Sequence, residues 1–254
     1  MAADLPADQL GAEAIRVEPL SPAVGLLIEG VDLQRLNSGA AAMIQDLWQL
    51  GGALLFRAQT TPEAAALRLT TMLANGPFTH TDASAHAAAA IIGTHWKMPG
   101  AEHAIPPKAL VFAPALGSPS PPALMLAGME AAADTLRMED PEFLATLSGL
   151  HCAHTPDGAE HPLVLHHPQS GEACLYPPPV GGQGFADAER LMDHVAQARF
   201  CWRYEWQPGD VLALDPRAVR CRWEETPGST LAECVVVPGS APLPPERAGL
   251  TGLV

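Results

Sequence analysis

Few residue patterns in this chain could do chemistry, and each has a plain structural alternative. His80-Thr81-Asp82 spells H-x-D. Such a pair can fill two adjacent positions around a ferrous ion when a second histidine completes the face; otherwise it is a polar loop. His151, Cys152, His154, His161, His166 and His167 crowd one stretch. Imidazole with thiolate is a zinc-type donor set, and the alternative is loop and strand histidines held by structural hydrogen bonds. Cys221 stands between Arg220 and Arg222. Two guanidinium groups favour a thiolate, but neither supplies the base a nucleophile wants, and cysteine is also a common buried filler.

The elements that must position these groups read as helices early and strands late. Residues 15–31 alternate apolar and polar around Pro19, Pro22 and Gly25, giving short strands and turns. Residues 40–50 carry helical spacing through Ile44, Leu47 and Leu50; Gly51-Gly52 stops them, and 53–56 form an apolar strand. Thr61-Pro62-Glu63 opens a second helix, with Thr61 as N-cap and Pro62 in the first helical position. From 79 to 120 the chain is loop-like, with strand candidates at 90–93 and 109–113. The spacing predicts helices over 125–136, 142–150 and 186–198, and strands over 163–166, 173–176, 200–206, 211–214 and 234–237. With no internal repeat and no long linker, a single domain over 1–254 is expected, its tail at 241–254 irregular.

Composition narrows the partners. Acids outnumber bases 28 to 14, a net charge of −14, which argues against nucleic acid because that binding rests on cations neutralising phosphates. The only lysines are Lys97 and Lys108, so there is no polybasic membrane patch. No apolar run approaches the ~18 residues of a membrane helix, and MAADLPADQL is unlike a signal peptide. Cys152, Cys174, Cys201, Cys221 and Cys234 make an odd, irregular set, which is no disulfide framework. A cytoplasmic protein is expected.

Four segments then resemble the taurine dioxygenase family of iron- and 2-oxoglutarate-dependent enzymes, in order and with similar gaps. Residues 15–36 (IRVEPLSPAVGLLIEGVDLQRL) are similar to the family's opening strands and G-x-D-L turn. Residues 47–77 (LWQLGGALLFRAQTTPEAAALRLTTMLANGP) resemble its helix–strand–helix. Residues 161–176 (HPLVLHHPQSGEACLY) resemble its HP…HP-x-(S/T)-G stretch, and 206–215 (WQPGDVLALD) the run before its last iron ligand. The resemblance covers about 15–240. It implies a mainly β fold with flanking helices, the double-stranded β-helix or jelly roll; activity must be argued from the site.

The family holds Fe(II) with an H-x-D pair just after a Trp and with a distal histidine, and holds 2-oxoglutarate with an arginine of the last strand. Here Trp96 and Pro106-Pro107 lie at matching separation, and the first two ligand positions fall on Lys97 and Pro99. An ammonium and a pyrrolidine do not replace imidazole and carboxylate. The distal position falls on Cys221, and no histidine follows His194. No Lys or Arg occurs between Arg222 and Arg247, and Glu233 stands where the family carries basic residues. His80 and Asp82 lie well ahead of the expected place. His161-Pro162 and His167-Pro168 belong to the resembling stretch, which favours structural histidines over zinc.

Three readings follow. The first, preferred, is a non-catalytic barrel binding a partner or small ligand, without iron or 2-oxoglutarate, as a homo-oligomer or a hetero-oligomer with an intact homologue. The second is a metal-independent enzyme working in the former pocket with Lys97, Cys221 or Glu233. The third is an active dioxygenase using Fe(II) and 2-oxoglutarate, its metal moved to His80 and Asp82.

Overall fold

In the computed structural model, residues 15–50, 52–74, 96, 98, 105–114, 121–154, 160–178 and 185–224 are described, with the backbone of 82–83 and 233–237. Two short strands, β1 (Arg16–Pro19) and β2 (Leu26–Glu29), form an antiparallel hairpin. Gly25 precedes β2 at φ 56°, and a Cβ there would lie 2.3 Å from the Ala53 carbonyl oxygen. A glycine is required here on both counts. β2 then runs parallel to β3 (Ala53–Phe56), reached through helix α1 (Ser38–Leu50). The Gln59 side chain ties the turn after β2 to the end of β3: its Oε1 accepts from Leu33 N at 2.9 Å and its Nε2 donates to Val31 O at 2.7 Å.

Helix α2 (Pro62–Ala74) begins where the Thr-Pro-Glu signal places it. β4 (Asp82–Ala83), β5 (Ala109–Ala113) and β6 (Leu124–Gly128) follow, then α3 (Met129–Glu139) and α4 (Pro141–Ser148). Asp140 caps α4 by accepting from Phe143 N at 3.1 Å. The expected helix over 125–136 is corrected at its start: 124–128 are strand, and the helix begins at Met129. β6 is flanked on both edges by antiparallel strands and buried throughout save Met125, and ladder partners override the helical leaning of Met, Leu and Ala. Gly128 ends it, packed so that a Cβ would fall 1.9 Å from Ala23 O.

The later half gives hairpins β7 (His151–Ala153) with β8 (Glu160–Pro162) and β9 (Val164–His166) with β10 (Ala173–Leu175), helix α5 (Ala188–Val195), and strands β11 (Cys201–Tyr204), β12 (Val211–Leu214), β13 (Val219–Trp223) and β14 (Glu233–Val237). A seven-stranded sheet has the order β1-β2-β3-β12-β5-β14-β4, and a three-stranded sheet the order β11-β6-β13.

Strand alternation sorts the core into layers. Leu54, Phe56, Val111, Val211 and Ala213 face helices α1 and α2. Their sequence neighbours Leu55, Leu110, Phe112, Leu212 and Leu214 meet Leu124, Leu126, Val219, Cys221 and Trp223 of the smaller sheet. A third layer packs α3, α4 and α5 with β9 and β10. Two facing sheets with helices outside make the expected jelly roll. Among the described residues, no helix is long and apolar enough to cross a membrane.

Candidate functional site

The third ligand seat of the resemblance is occupied by Cys221 in the middle of β13, fully buried and in register with Leu126 of β6. β13 reads V-R-C-R-W, so Val219, Cys221 and Trp223 share the face turned to the larger sheet, while Arg220 and Arg222 take the other. The inward face is apolar and aromatic. Trp223, 2% exposed, meets Phe112 edge-on at 6.1 Å between ring centroids and lies nearly parallel to Trp206 at 6.2 Å. Tyr204 packs on Trp206 at 4.7 Å, and its hydroxyl donates to Asp210 Oδ2 at 2.6 Å. Burial, with the Asp210 charge and hydrogen bond, pushes this phenol far above its usual range. A cleft of about 350 Å3 is lined in part by Val219 at the other end of β13, with Gly25, Gly52 and the acids Glu130 and Asp134; Cys221 does not line it.

The other named residues are placed as follows. Lys97, Pro99 and His80 lie outside the described residues. Asp82 is in β4, at the edge of the larger sheet, its backbone in register with Val235 of β14. Glu233 opens β14 in register with Ala113, a residue of the helix-facing layer, whereas Cys234 is in register with Phe112 of the inter-sheet layer. Among the described residues, no three His, Cys, Asp or Glu side chains converge as a metal site.

The histidine-rich stretch divides into two buried groups. His154, His161 and Tyr176 pack on one another edge-on or tilted, at centroid separations of 4.9 to 5.5 Å. Burial, helped by His161 and Arg220, pushes His154 down to about 4 against an opposing hydrogen bond with the Tyr176 backbone, so the ring is neutral at pH 7. His167 belongs to a separate network that sequence reasoning missed. Its Nε2 donates to Asp215 Oδ2 at 2.8 Å, while Nδ1 faces the backbone N–H of Gln169 and Ser170 at 3.4 and 3.3 Å, which fixes the tautomer. Arg217, 1% exposed, donates to both oxygens of Asp215, through Nε at 2.8 Å and Nη2 at 2.5 Å. Burial alone would raise the Asp215 carboxyl; Arg217 and His167 more than offset it and hold it well below the usual carboxylate range. This network locks β9 to the turn between β12 and β13, and so fixes the entry of the strand that carries Cys221.

The outward face of β13 carries charge instead. Arg220 is 2% exposed, and its guanidinium lies 5.7 Å from the Trp96 ring centroid; that of Arg222 lies 5.3 Å from the same ring. Met98, two residues beyond Trp96, is buried in the layer beneath the helices.

The family model described as Taurine catabolism dioxygenase TauD, TfdA family matches residues 16–230. Among solved structures, the chain is similar to AAD-2 in complex with Mn(II) and N-oxalylglycine, at 20% identity and a TM-score of 0.74 over 91% of this chain and 99% of that one. It is also similar to a taurine dioxygenase from Burkholderia xenovorans, at 23% identity and a TM-score of 0.70 over 92% of each chain. No curated protein matches the sequence.

Proposed function

For a chain that belongs to the taurine catabolism dioxygenase TauD, TfdA family, we propose a barrel that has given up iron and 2-oxoglutarate and works as a non-catalytic binding module. The observation that carries this reading is the third seat itself. Cys221 is fully buried among Phe112, Leu124, Leu126, Trp206 and Trp223, where the family's chemistry asks for an imidazole beside three open coordination positions. A thiol binds metal as thiolate, and burial among apolar and aromatic side chains disfavours that charge. The residue types at the other seats, Lys97 and Pro99, supply no replacement donors. The family's cofactor pair does not fit these residues, and no oxidative step is assigned to them.

On this reading the protein binds a small molecule or another chain, either its own copy or an intact homologue. The test is calorimetric titration with Mn(II) and 2-oxoglutarate, alongside an assay of 2-oxoglutarate decarboxylation with Fe(II). No saturable binding and no turnover are expected. One equivalent of metal, lost on His80→Ala or Asp82→Ala, would establish the moved-site dioxygenase instead. Metal-free turnover lost on Cys221→Ala or Lys97→Ala would establish the metal-independent enzyme.

A further inference from the structure

Arg220 is the most anomalous polar group in the described part of the fold. It is 98% removed from solvent by its 2% exposure, yet among the described residues it has no carboxylate partner. Among the described residues its Nη2 reaches only the Met192 sulfur, at 3.5 Å, and its Nε meets no acceptor. A buried cation left uncompensated is among the costliest arrangements in a protein interior. Burial lowers this guanidinium to about 10, and it is still charged at neutral pH.

Arg222 repeats the pattern two residues on. It is half-buried, its Nε is also buried without an acceptor, and its guanidinium faces the same Trp96 ring as that of Arg220. Glu224, whose carboxyl feels the Arg222 charge, is already engaged by Arg203 through three contacts of 2.8 to 3.0 Å. Among the described residues, the remaining titratable neighbours on this face are the Cys201 thiol and the neutral His154 ring. Two like charges thus share one indole with no anion between them among the described residues, in a chain whose net charge is −14. Acids abound elsewhere, and the described ones leave this spot empty.

We infer that Arg220 and Arg222, set against Trp96 on the outward face of β13, form a binding site for a small oxyanion, a carboxylate or phosphate group. Guanidinium groups bind such anions through paired parallel N–H donors. Arg220 forms the floor, Arg222 the solvent-side wall, and the indole holds both planes in place by cation–π attraction. The site lies on the face of β13 opposite Cys221 and is independent of whether the barrel turns anything over.

The test titrates the full chain with malonate and, separately, with inorganic phosphate at constant ionic strength. Heat and tryptophan fluorescence are followed, with Trp96→Phe identifying the responding indole. Saturable binding by either anion is expected, weakened about tenfold or more in Arg222→Gln, since a charge-assisted contact carries about a decade or more in affinity. Tighter binding of malonate assigns a carboxylate ligand, and tighter binding of phosphate a phosphorylated one. Arg220→Met tests the floor: its melting temperature without anion should equal or exceed that of the parent, and the rise the anion gives the parent should vanish. No saturable binding of either anion, or binding unchanged in Arg222→Gln, would overturn the inference. Failure of iron binding leaves it untouched, and failure of anion binding leaves the reading of the barrel untouched.

Discussion

Asp215 is expected to be the most sensitive single position in the described fold. Replacing it with Asn keeps the shape and removes the charge that Arg217 and His167 share. Arg217, 1% exposed, has further hydrogen bonds among the described residues only to Lys108 O and Gln169 Oε1, at 3.4 and 3.5 Å, too long to compensate a guanidinium. Breaking a buried pair this way costs about 3–5 kcal/mol, a large part of the about 5–15 kcal/mol that holds a domain folded. With a urea dependence of about 3 kcal/mol per molar, the unfolding midpoint should fall by about 1–2 M, read by fluorescence of the buried Trp206 and Trp223. Adding Arg217→Met removes the stranded cation, so the double variant should lose clearly less than the sum of its single changes. The pH dependence has a definite sign. The folded carboxyl sits below its unfolded value of about 4, so its stabilisation is complete above about pH 4 and is lost as pH falls below it. Asp215→Asn should flatten that acid limb. A single-variant cost under about 1 kcal/mol, or strict additivity in the double variant, would refute the account of the network.

Other outcomes follow from the same geometry. His154, held down to about 4 from 6.5, is neutral in the fold and protonated when unfolded between those values; stability should therefore fall by up to about 3 kcal/mol as pH drops through that window, and His154→Phe should remove the slope. Trp223→Ala opens the inter-sheet layer beside Phe112 and Trp206 and should cost about 3–5 kcal/mol by urea unfolding. Cys221→His supplies the family's donor type but places a polar ring among Leu124, Leu126 and Trp223; it should cost about 1–3 kcal/mol, and calorimetry should still detect no iron. Gly128→Ala drives a methyl against Ala23 O, 1.9 Å away, and should lower the melting temperature markedly, with a cost of about 1–3 kcal/mol.

Much of the scaffold was legible in residue order. The apolar runs 53–56, 109–113 and 211–214 are strands with those bounds, because strands buried on both faces need only length and branched or aromatic content to be recognised. β13 was not among the expected strands even though V-R-C-R-W alternates, and its pairing with β6 is what establishes it. β6 was missed because MLAGMEAAAD has helical content throughout, and only its ladder partners at both edges make the first part a strand.

The candidate site shows the same division. Counting six residues on from Asp215 sets Cys221 at the distal ligand position of the resemblance and names the atom type it carries. It could not say that Cys221 shares a core layer with Phe112 of β5 and with Trp206 just after β11, both of which pack on Trp223. Nor could it pair His167 with Asp215, 48 residues away, or bring Trp96 over Arg220 and Arg222. Residue types and short spacings set local periodicity and donor chemistry, so they belong to the sequence. Burial, counter-charge and which face of β13 meets which layer depend on long-range packing, and these the tertiary structure alone decided.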